Sequence, residues 1–118
     1  MKARSLMLAL AAAAVALLYT PVASPNATAM TPTTVTVTMK EFKFTLSKTR
    51  VRHGSVTFKL VNKGKLPHDF AIAGKKSKLI KHGKTGTLTV TLKAGKIAYK
   101  CTVPGHAAAG MKGKLTVT

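Results

Sequence analysis

Short runs in which polar and apolar residues alternate dominate the chain from Thr34 onward. An alternation with a period of two places the apolar side chains on one face, as expected for a half-buried β-strand. In these runs Val, Phe, Leu and Met face one way, whereas Thr and Lys face the other. The pattern predicts five strands, at Thr34–Met39, Phe42–Leu46, Ser55–Leu60, Thr87–Leu92 and Lys114–Thr118.

Turn-forming residues separate these runs at short intervals, as at Asn62–Gly64, Ala94–Gly95 and Pro104–Gly105. No stretch after the N-terminal segment keeps a helical period over three turns. Many short strands with regularly spaced turns predict an all-β domain. We expect an antiparallel sandwich or barrel of seven or eight strands.

The N-terminal segment has the features of a targeting signal. Met1–Arg4 forms a short basic head, and an uninterrupted apolar run of 13 residues follows at Leu6–Leu18. This run is shorter than the roughly 20 residues that a transmembrane helix needs. We predict a signal peptide at residues 1–29, cleaved near Ala29 or alternatively after Ser24, and one exported domain at residues 30–118. An uncleaved membrane anchor is the alternative. The expected location is the periplasm, or another extracytoplasmic site such as the cell surface.

The chain is strongly basic. It has 20 Lys and Arg residues but only two acidic residues, Glu41 and Asp69, for a formal net charge of +18. Such a charge attracts anionic partners, so we expect an acidic protein partner or peripheral association with an anionic membrane surface. Nucleic-acid recognition is disfavoured, because aromatic residues make up only 5% of the chain and no recognised binding motif is present. We expect a monomer.

Three side chains that can bind a metal lie close together near the C-terminus. Four residues separate Cys101 from His106, and four more separate His106 from Met111. A proline and two glycines lie in these intervals and favour a bent loop. Each residue alone would more simply be a core or loop residue. Together, a thiolate, an imidazole and a thioether suit a soft or borderline transition metal, above all copper.

A fourth ligand must come from elsewhere in the chain, and there are three other histidines. His53 and His82 each precede a glycine in a basic turn, which is typical of exposed turn residues. His68 differs, because Pro67 restricts the backbone before it and a new apolar face begins at Phe70. We expect His68 to be the first residue of a strand, where a rigid element would hold it as a ligand.

The two segments that contain these candidate ligands, Val61–Phe70 and Tyr99–Gly113, resemble the blue copper proteins, or cupredoxins. The equal intervals in the C-terminal loop are most similar to those of auracyanin-like members, since plastocyanins have a shorter interval between the cysteine and the following histidine. The resemblance implies a Greek-key β-sandwich, in agreement with the predicted strands.

The resemblance also implies a ligand set for one type 1 copper ion. His68, Cys101 and His106 correspond to the strong ligands, and Met111 corresponds to the weak axial ligand. The implied function is one-electron transport to and from a redox protein, without enzymatic activity. A copper storage, delivery or resistance protein that uses the same ligands is the alternative.

Two further roles follow from the resemblance. Asp69 would accept a hydrogen bond from Thr102 and so tie the two ligand segments together; the alternative is a surface carboxylate paired with a lysine. His106 would be the ligand nearest the solvent, and Ala107–Ala109 would form a small apolar rim around it, at which a partner docks.

Overall fold

The computed structural model describes residues 14–21 and 32–118. Residues 14–21 are exposed and have no regular secondary structure. Both predicted cleavage positions, Ser24 and Ala29, lie outside the described residues, so the signal peptide stays a prediction. Within the two described ranges, no helix is long and apolar enough to cross a membrane.

The structure is all-β, as predicted. All five predicted strands are present, and the described residues contain nine strands in total, three of which have only two residues. In chain order they are β1 Thr33–Lys40, β2 Lys43–Leu46, β3 Arg50–Val51, β4 Gly54–Asn62, β5 Ala71–Ile72, β6 Lys75–Lys76, β7 Thr85–Leu92, β8 Gly95–Lys100 and β9 Lys112–Val117.

The strands form two sheets that make up a sandwich. The four-stranded sheet has the order β2-β1-β4-β7, and the five-stranded sheet has the order β3-β9-β8-β5-β6. Five of the seven strand pairs are antiparallel, but β1–β4 and β3–β9 are parallel. The structure differs from the expected antiparallel sandwich at these two pairs. The sequence pattern could not reveal this, because period-two alternation is the same for both strand directions.

The hydrophobic core lies between the two sheets and uses the inward side chains of both. The ring of Phe70 packs against Phe58 and Phe44, with ring centroids 5.0 and 5.3 Å apart. Phe70 is fully buried, so these contacts anchor the chain two residues after His68. The other large buried core residues include Val35, Val37, Met39, Val56, Leu60, Ile72, Leu92, Met111 and Leu115.

The outward faces of the two sheets differ in charge. The four-stranded sheet presents many threonines, among them Thr36, Thr38, Thr57, Thr87, Thr89 and Thr91. The five-stranded sheet presents six exposed lysines, namely Lys75, Lys76, Lys96, Lys100, Lys112 and Lys114, whereas the four-stranded sheet presents three, Lys40, Lys43 and Lys59. More of the positive charge on the strands therefore lies on the five-stranded sheet.

The two candidate ligand segments lie next to each other in the five-stranded sheet. Residues 63–70 connect β4 to β5, and residues 101–111 connect β8 to β9. The first residue of β5, Ala71, pairs directly with the last residue of β8, Lys100. The sheet register therefore brings the end of the first connection beside the start of the second.

Candidate metal centre

The side chains of His68, Cys101 and His106 converge in a buried cluster. The Nδ1 atoms of the two histidines are 3.1 Å apart, and the Sγ atom of Cys101 is 3.6 Å from the Nδ1 atom of His106. One ligand atom of each residue lies within 4.8 Å of the others. His68, Cys101 and His106 are 0%, 1% and 8% exposed, respectively. Three of the four residues predicted from the sequence thus form one potential metal site.

The connection from β8 to β9 is shaped by its backbone hydrogen bonds. The Cys101 N–H donates to the Met111 carbonyl (3.0 Å), and the Met111 N–H donates to the His106 carbonyl (3.1 Å). Gly105 and Gly110 have φ angles of 83° and 122°, a region that glycine adopts far more readily than other residues. The equal spacing in the sequence therefore corresponds to a closed loop whose two ends are bonded to each other.

Met111 is fully buried at the end of this loop. Its backbone is hydrogen-bonded to both Cys101 and His106, so the residue is held beside the cluster. Its role as an axial ligand stays a proposal.

His68 is held by an isolated β-bridge rather than by a strand. Its N–H donates to the Ile80 carbonyl (3.0 Å), and its carbonyl accepts from the Ile80 N–H (2.8 Å). The strand predicted to begin at His68 begins at Ala71 instead. Two reciprocal bonds nevertheless fix the backbone of His68, which is what a preformed ligand requires.

Asn62 organises the connection that leads to His68, a role that the sequence analysis missed. Its Nδ2 group donates to the carbonyls of Leu66 (2.9 Å) and Ile80 (2.8 Å), while its Oδ1 atom accepts from the Gly64 N–H (2.8 Å). Asn62 is 1% exposed. One buried amide therefore joins the end of β4, the connection and the bridge partner of His68. The sequence signal that could have indicated it is an asparagine at the end of a predicted strand, two residues before a glycine, because asparagine side chains often bond to the backbone two residues on.

Asp69 and Thr102 tie the two ligand segments together, as expected from the resemblance. The Asp69 Oδ1 atom accepts from the Thr102 N–H (2.6 Å), and its Oδ2 atom accepts from the Thr102 hydroxyl. Asp69 is 5% exposed, so the alternative of a surface carboxylate paired with lysine is wrong. The pair joins the residue after His68 to the residue after Cys101.

Replacing Asp69 with alanine is expected to lower the affinity for the expected copper ion about 10- to 100-fold, because both ligand segments lose their shared anchor. The affinity is measured by competition with a Cu(I) chelator. Thr102→Val is the matched control, since it removes the hydroxyl bond but keeps the backbone N–H bond, and it should give the smaller loss. Unchanged affinity in Asp69→Ala would contradict the anchoring role.

The turn between β1 and β2 contacts both histidines, which the sequence analysis also missed. The Glu41 carboxylate lies 3.3 Å from the His68 Nε2 atom, on the side of the ring opposite the cluster. The Phe42 ring packs edge-on against the His106 ring, with centroids 5.1 Å apart. Neither residue shares a motif with its histidine, so no local pattern could have revealed these contacts.

Burial and hydrogen bonding change the protonation of the site. Burial lowers the pKa of His68 and raises the pKa of the Cys101 thiol. The Leu66 N–H donates to Glu41 (2.6 Å) and is the main reason that the pKa of this carboxyl is lowered to about 2. Because an ionised carboxylate only accepts hydrogen bonds, the His68 Nε2 atom must be the donor, and its Nδ1 atom carries no proton. In the metal-free protein this Nδ1 atom accepts from the His106 Nδ1–H at 3.1 Å, and its lone pair can bind a metal instead.

His53 and His82 lie outside the cluster. Both are exposed and follow the expected turn positions: the His53 ring contacts the Thr118 carbonyl (2.9 Å), and the His82 ring contacts the Gly64 carbonyl. Among residues 14–21 and 32–118, His68, Cys101 and His106 are the only group of three or more His, Cys, Asp or Glu side chains arranged to hold a metal ion.

The donor set fits copper. One thiol and two imidazoles form the cluster, and the buried Met111 is hydrogen-bonded through its backbone to two of these three residues. Thiolate and thioether favour Cu(I), imidazole accepts both copper oxidation states, and hard cations that prefer oxygen ligands find none in this cluster.

His106 is the most exposed of the three cluster residues. In the loop beyond it, Ala107 is half-buried, whereas Ala108 and Ala109 are exposed. Small apolar side chains are therefore accessible in the loop after His106, and the docking rim stays a prediction.

Comparisons with a family model and with solved structures all point to the same fold. A family model described as a cupredoxin-like domain matches residues 8–117. Auracyanin B is 24% identical, with a TM-score of 0.66 over 75% of this chain and 91% of that one. Auracyanin A from Chloroflexus aurantiacus, described as a "blue" copper protein, is 24% identical, with a TM-score of 0.62 over 75% and 100% of the two chains. The blue copper oxidase from Nitrosomonas europaea is 20% identical, with a TM-score of 0.59 over 74% and 39%.

The search of curated protein sequences finds no match. At these identities the solved structures establish a shared fold, and the family model covers most of the chain. The Greek-key sandwich and the copper cofactor expected from the sequence are thereby confirmed, with His68, Cys101 and His106 as a potential copper site. The chain belongs to the cupredoxin-like family.

Proposed function

We propose that this protein is an exported one-electron carrier that binds a single copper ion through His68, Cys101 and His106, with Met111 as a weak axial ligand. The observation that carries the proposal is the buried convergence of two Nδ1 atoms and one Sγ atom within 4.8 Å. Similarity to auracyanin A, itself described as a "blue" copper protein, supports it.

The chain holds these side chains in place through contacts that do not depend on a metal. The bridge to Ile80 fixes the His68 backbone, and the Asp69–Thr102 pair fixes the start of the C-terminal loop. Copper supplies a Cu(I)/Cu(II) couple when bound. Because the ligands are already restrained, little rearrangement is needed when an electron is gained or lost, which favours fast electron transfer.

The route to a partner runs through His106 in this proposal. His106 is 8% exposed, its ring packs against Phe42, and the small side chains of Ala107–Ala109 follow it in the chain. The three alanines would add little side-chain bulk between His106 and a docked protein. A catalytic role is not proposed, because no second cluster of metal-binding side chains accompanies the site within the described residues.

The charge distribution supports an acidic redox partner. Lys100 and Lys112 lie directly opposite each other on β8 and β9, an arrangement of like charges that weakens strand pairing. Both acidic residues of the chain are engaged elsewhere, with Glu41 at His68 and Asp69 at Thr102. A partner with negative charge would offset this repulsion and would associate faster at low salt.

Voltammetry of the copper-loaded protein should show a reversible one-electron wave. An absent or irreversible wave would contradict the carrier role and favour copper storage or delivery.

The rate of electron exchange with an acidic redox protein should fall steeply as ionic strength rises. A small cationic oxidant is the control, since its rate should rise with salt. A flat salt profile with the acidic protein would contradict the electrostatic attraction.

A further inference from the structure

The β1–β2 turn places the carboxylate of Glu41 against the ring of His68. The Glu41 Oε1 atom lies 3.3 Å from the His68 Nε2 atom and accepts from the Leu66 N–H at 2.6 Å. Asp69, the other acidic residue of the chain, bonds to Thr102 instead. Glu41 is thus the acidic residue at His68, in a chain with a formal net charge of +18.

The space for this carboxylate exists because residue 64 is glycine. A Cβ atom on Gly64 would lie 2.6 Å from the Glu41 Oε1 atom and 2.9 Å from its Cδ and Oε2 atoms, which is too close for any real contact. The backbone at Gly64 has no φ angle in the left-handed region. Close approach of Glu41, rather than backbone conformation, is therefore what an alanine at this position would disturb.

His68 depends on Glu41 for its outer nitrogen. The ring is fully buried, and Glu41 is the one hydrogen-bond partner of Nε2 among the described residues. An unpartnered Nε2–H in this position would cost free energy, so a ring without Glu41 would gain by moving its proton to Nδ1 or by rotating. Either change would remove the free Nδ1 lone pair from the cluster.

We propose that Glu41 is a positioning residue of the metal centre. It holds the proton of His68 on Nε2, so that Nδ1 faces Cys101 and His106 as a ready ligand. Its negative charge beside His68 also favours the more highly charged Cu(II) over Cu(I), which lowers the reduction potential. The effect on the reduction potential rests on the proposed function, whereas the effect on the His68 tautomer concerns the metal-free protein alone.

The tautomer of His68 tests the positioning role of Glu41 without any metal. Two-dimensional ¹⁵N–¹H NMR of imidazole-labelled, metal-free protein should show His68 protonated at Nε2. Glu41→Ala should move the proton to Nδ1 or give a mixture of tautomers, and Gly64→Ala, which keeps Glu41 but displaces its carboxylate, should shift the population the same way. Glu41→Gln should keep the Nε2–H form, because its amide oxygen still accepts. A His68 tautomer that is unchanged in both alanine variants would overturn the positioning role.

The charge effect is tested by the affinities of the full chain for Cu(II) and Cu(I). Glu41→Gln should lower the affinity for Cu(II) about tenfold more than that for Cu(I), which corresponds to a rise of about 59 mV in reduction potential. Glu41→Ala should lower both affinities, about 10- to 100-fold, because the ligand itself is released. Equal Cu(II)/Cu(I) affinity ratios in wild type and Glu41→Gln would overturn the charge effect.

The outcomes separate this inference from the proposed function. If the wild-type protein binds no copper while the tautomer shifts as expected, the positioning role stands and the proposed function fails. Should Glu41→Ala not fold, as judged by circular dichroism, Glu41→Gln and Gly64→Ala still test both parts. Glu41→Gln retains an acceptor for the Leu66 N–H, and Gly64→Ala removes no charged group, because it only displaces the Glu41 carboxylate.

Discussion

Replacing Asn62 with alanine is expected to lower the free energy of unfolding of the metal-free protein by about 3 kcal/mol, since each of its three buried side-chain hydrogen bonds contributes about 1 kcal/mol. These bonds reach Gly64, Leu66 and Ile80, and alanine can replace none of them. The residue is 1% exposed, so water cannot take over the lost partners without opening the connection. The change is measured by chemical denaturation, followed by circular dichroism.

Thr57→Val is the matched control for this prediction. The Thr57 hydroxyl bonds to the Thr89 hydroxyl (3.1 Å) on the exposed face of the four-stranded sheet, and its loss should change stability by no more than about 0.5 kcal/mol. A loss below about 1 kcal/mol in Asn62→Ala would show that Asn62 does not organise the connection. Copper affinity should also fall in this variant, because Ile80, which bridges to His68, loses its tie to β4.

Replacing Cys101 with serine is expected to abolish most of the stabilisation that copper gives the folded protein. A ligand that binds only the folded state at a thousandfold excess over its Kd stabilises that state by about 4 kcal/mol. Serine keeps the size of the side chain but offers a neutral hydroxyl, which is a poor ligand for Cu(I). Thermal unfolding with and without Cu(I) measures the difference in Tm.

The control for this variant is His82→Ala. His82 is exposed and lies outside the cluster, so the Tm gain from copper should match that of the wild-type protein. An equal gain in Cys101→Ser and wild type would mean that copper binds elsewhere on the chain. The metal-free form of Cys101→Ser should unfold close to wild type, which separates loss of the ligand from loss of the fold.

The main strands and the three residues of the cluster, His68, Cys101 and His106, could be predicted because their signals are local. The alternation of polar and apolar residues in runs such as Thr34–Met39 indicates a strand with one buried face, and β1 indeed buries Val35, Val37 and Met39. The equal intervals between Cys101, His106 and Met111 likewise reflect one closed loop, in which the Cys101 N–H donates a hydrogen bond to the Met111 carbonyl.

Other features depend on which segments meet, and no local pattern carries that information. The strands β3, β5 and β6 have two residues each, too few to show a period. The parallel pairing of β1 with β4 is set by the fold as a whole. Glu41 reaches His68 only because the β1–β2 turn lies against the connection that follows β4. The Leu66 N–H, which donates to the Glu41 carboxylate, is 25 positions away in the chain.

The prediction for His68 is only partly confirmed. Pro67 and the apolar face that starts at Phe70 predict a rigid element at this residue. The rigidity is present but comes from elsewhere, through the bridge to Ile80 and the packing of Phe70 against Phe58. A two-residue strand at Ala71–Ile72 was too short to fix the boundary from the pattern alone.

The most direct test of copper binding through Cys101 is the visible absorption spectrum of the purified protein after addition of one equivalent of Cu(II). We expect an intense charge-transfer band from the Cys101 thiolate to Cu(II), absent in Cys101→Ser and retained in His82→Ala. A colourless or weakly coloured wild-type protein, or a band that persists in Cys101→Ser, would contradict it.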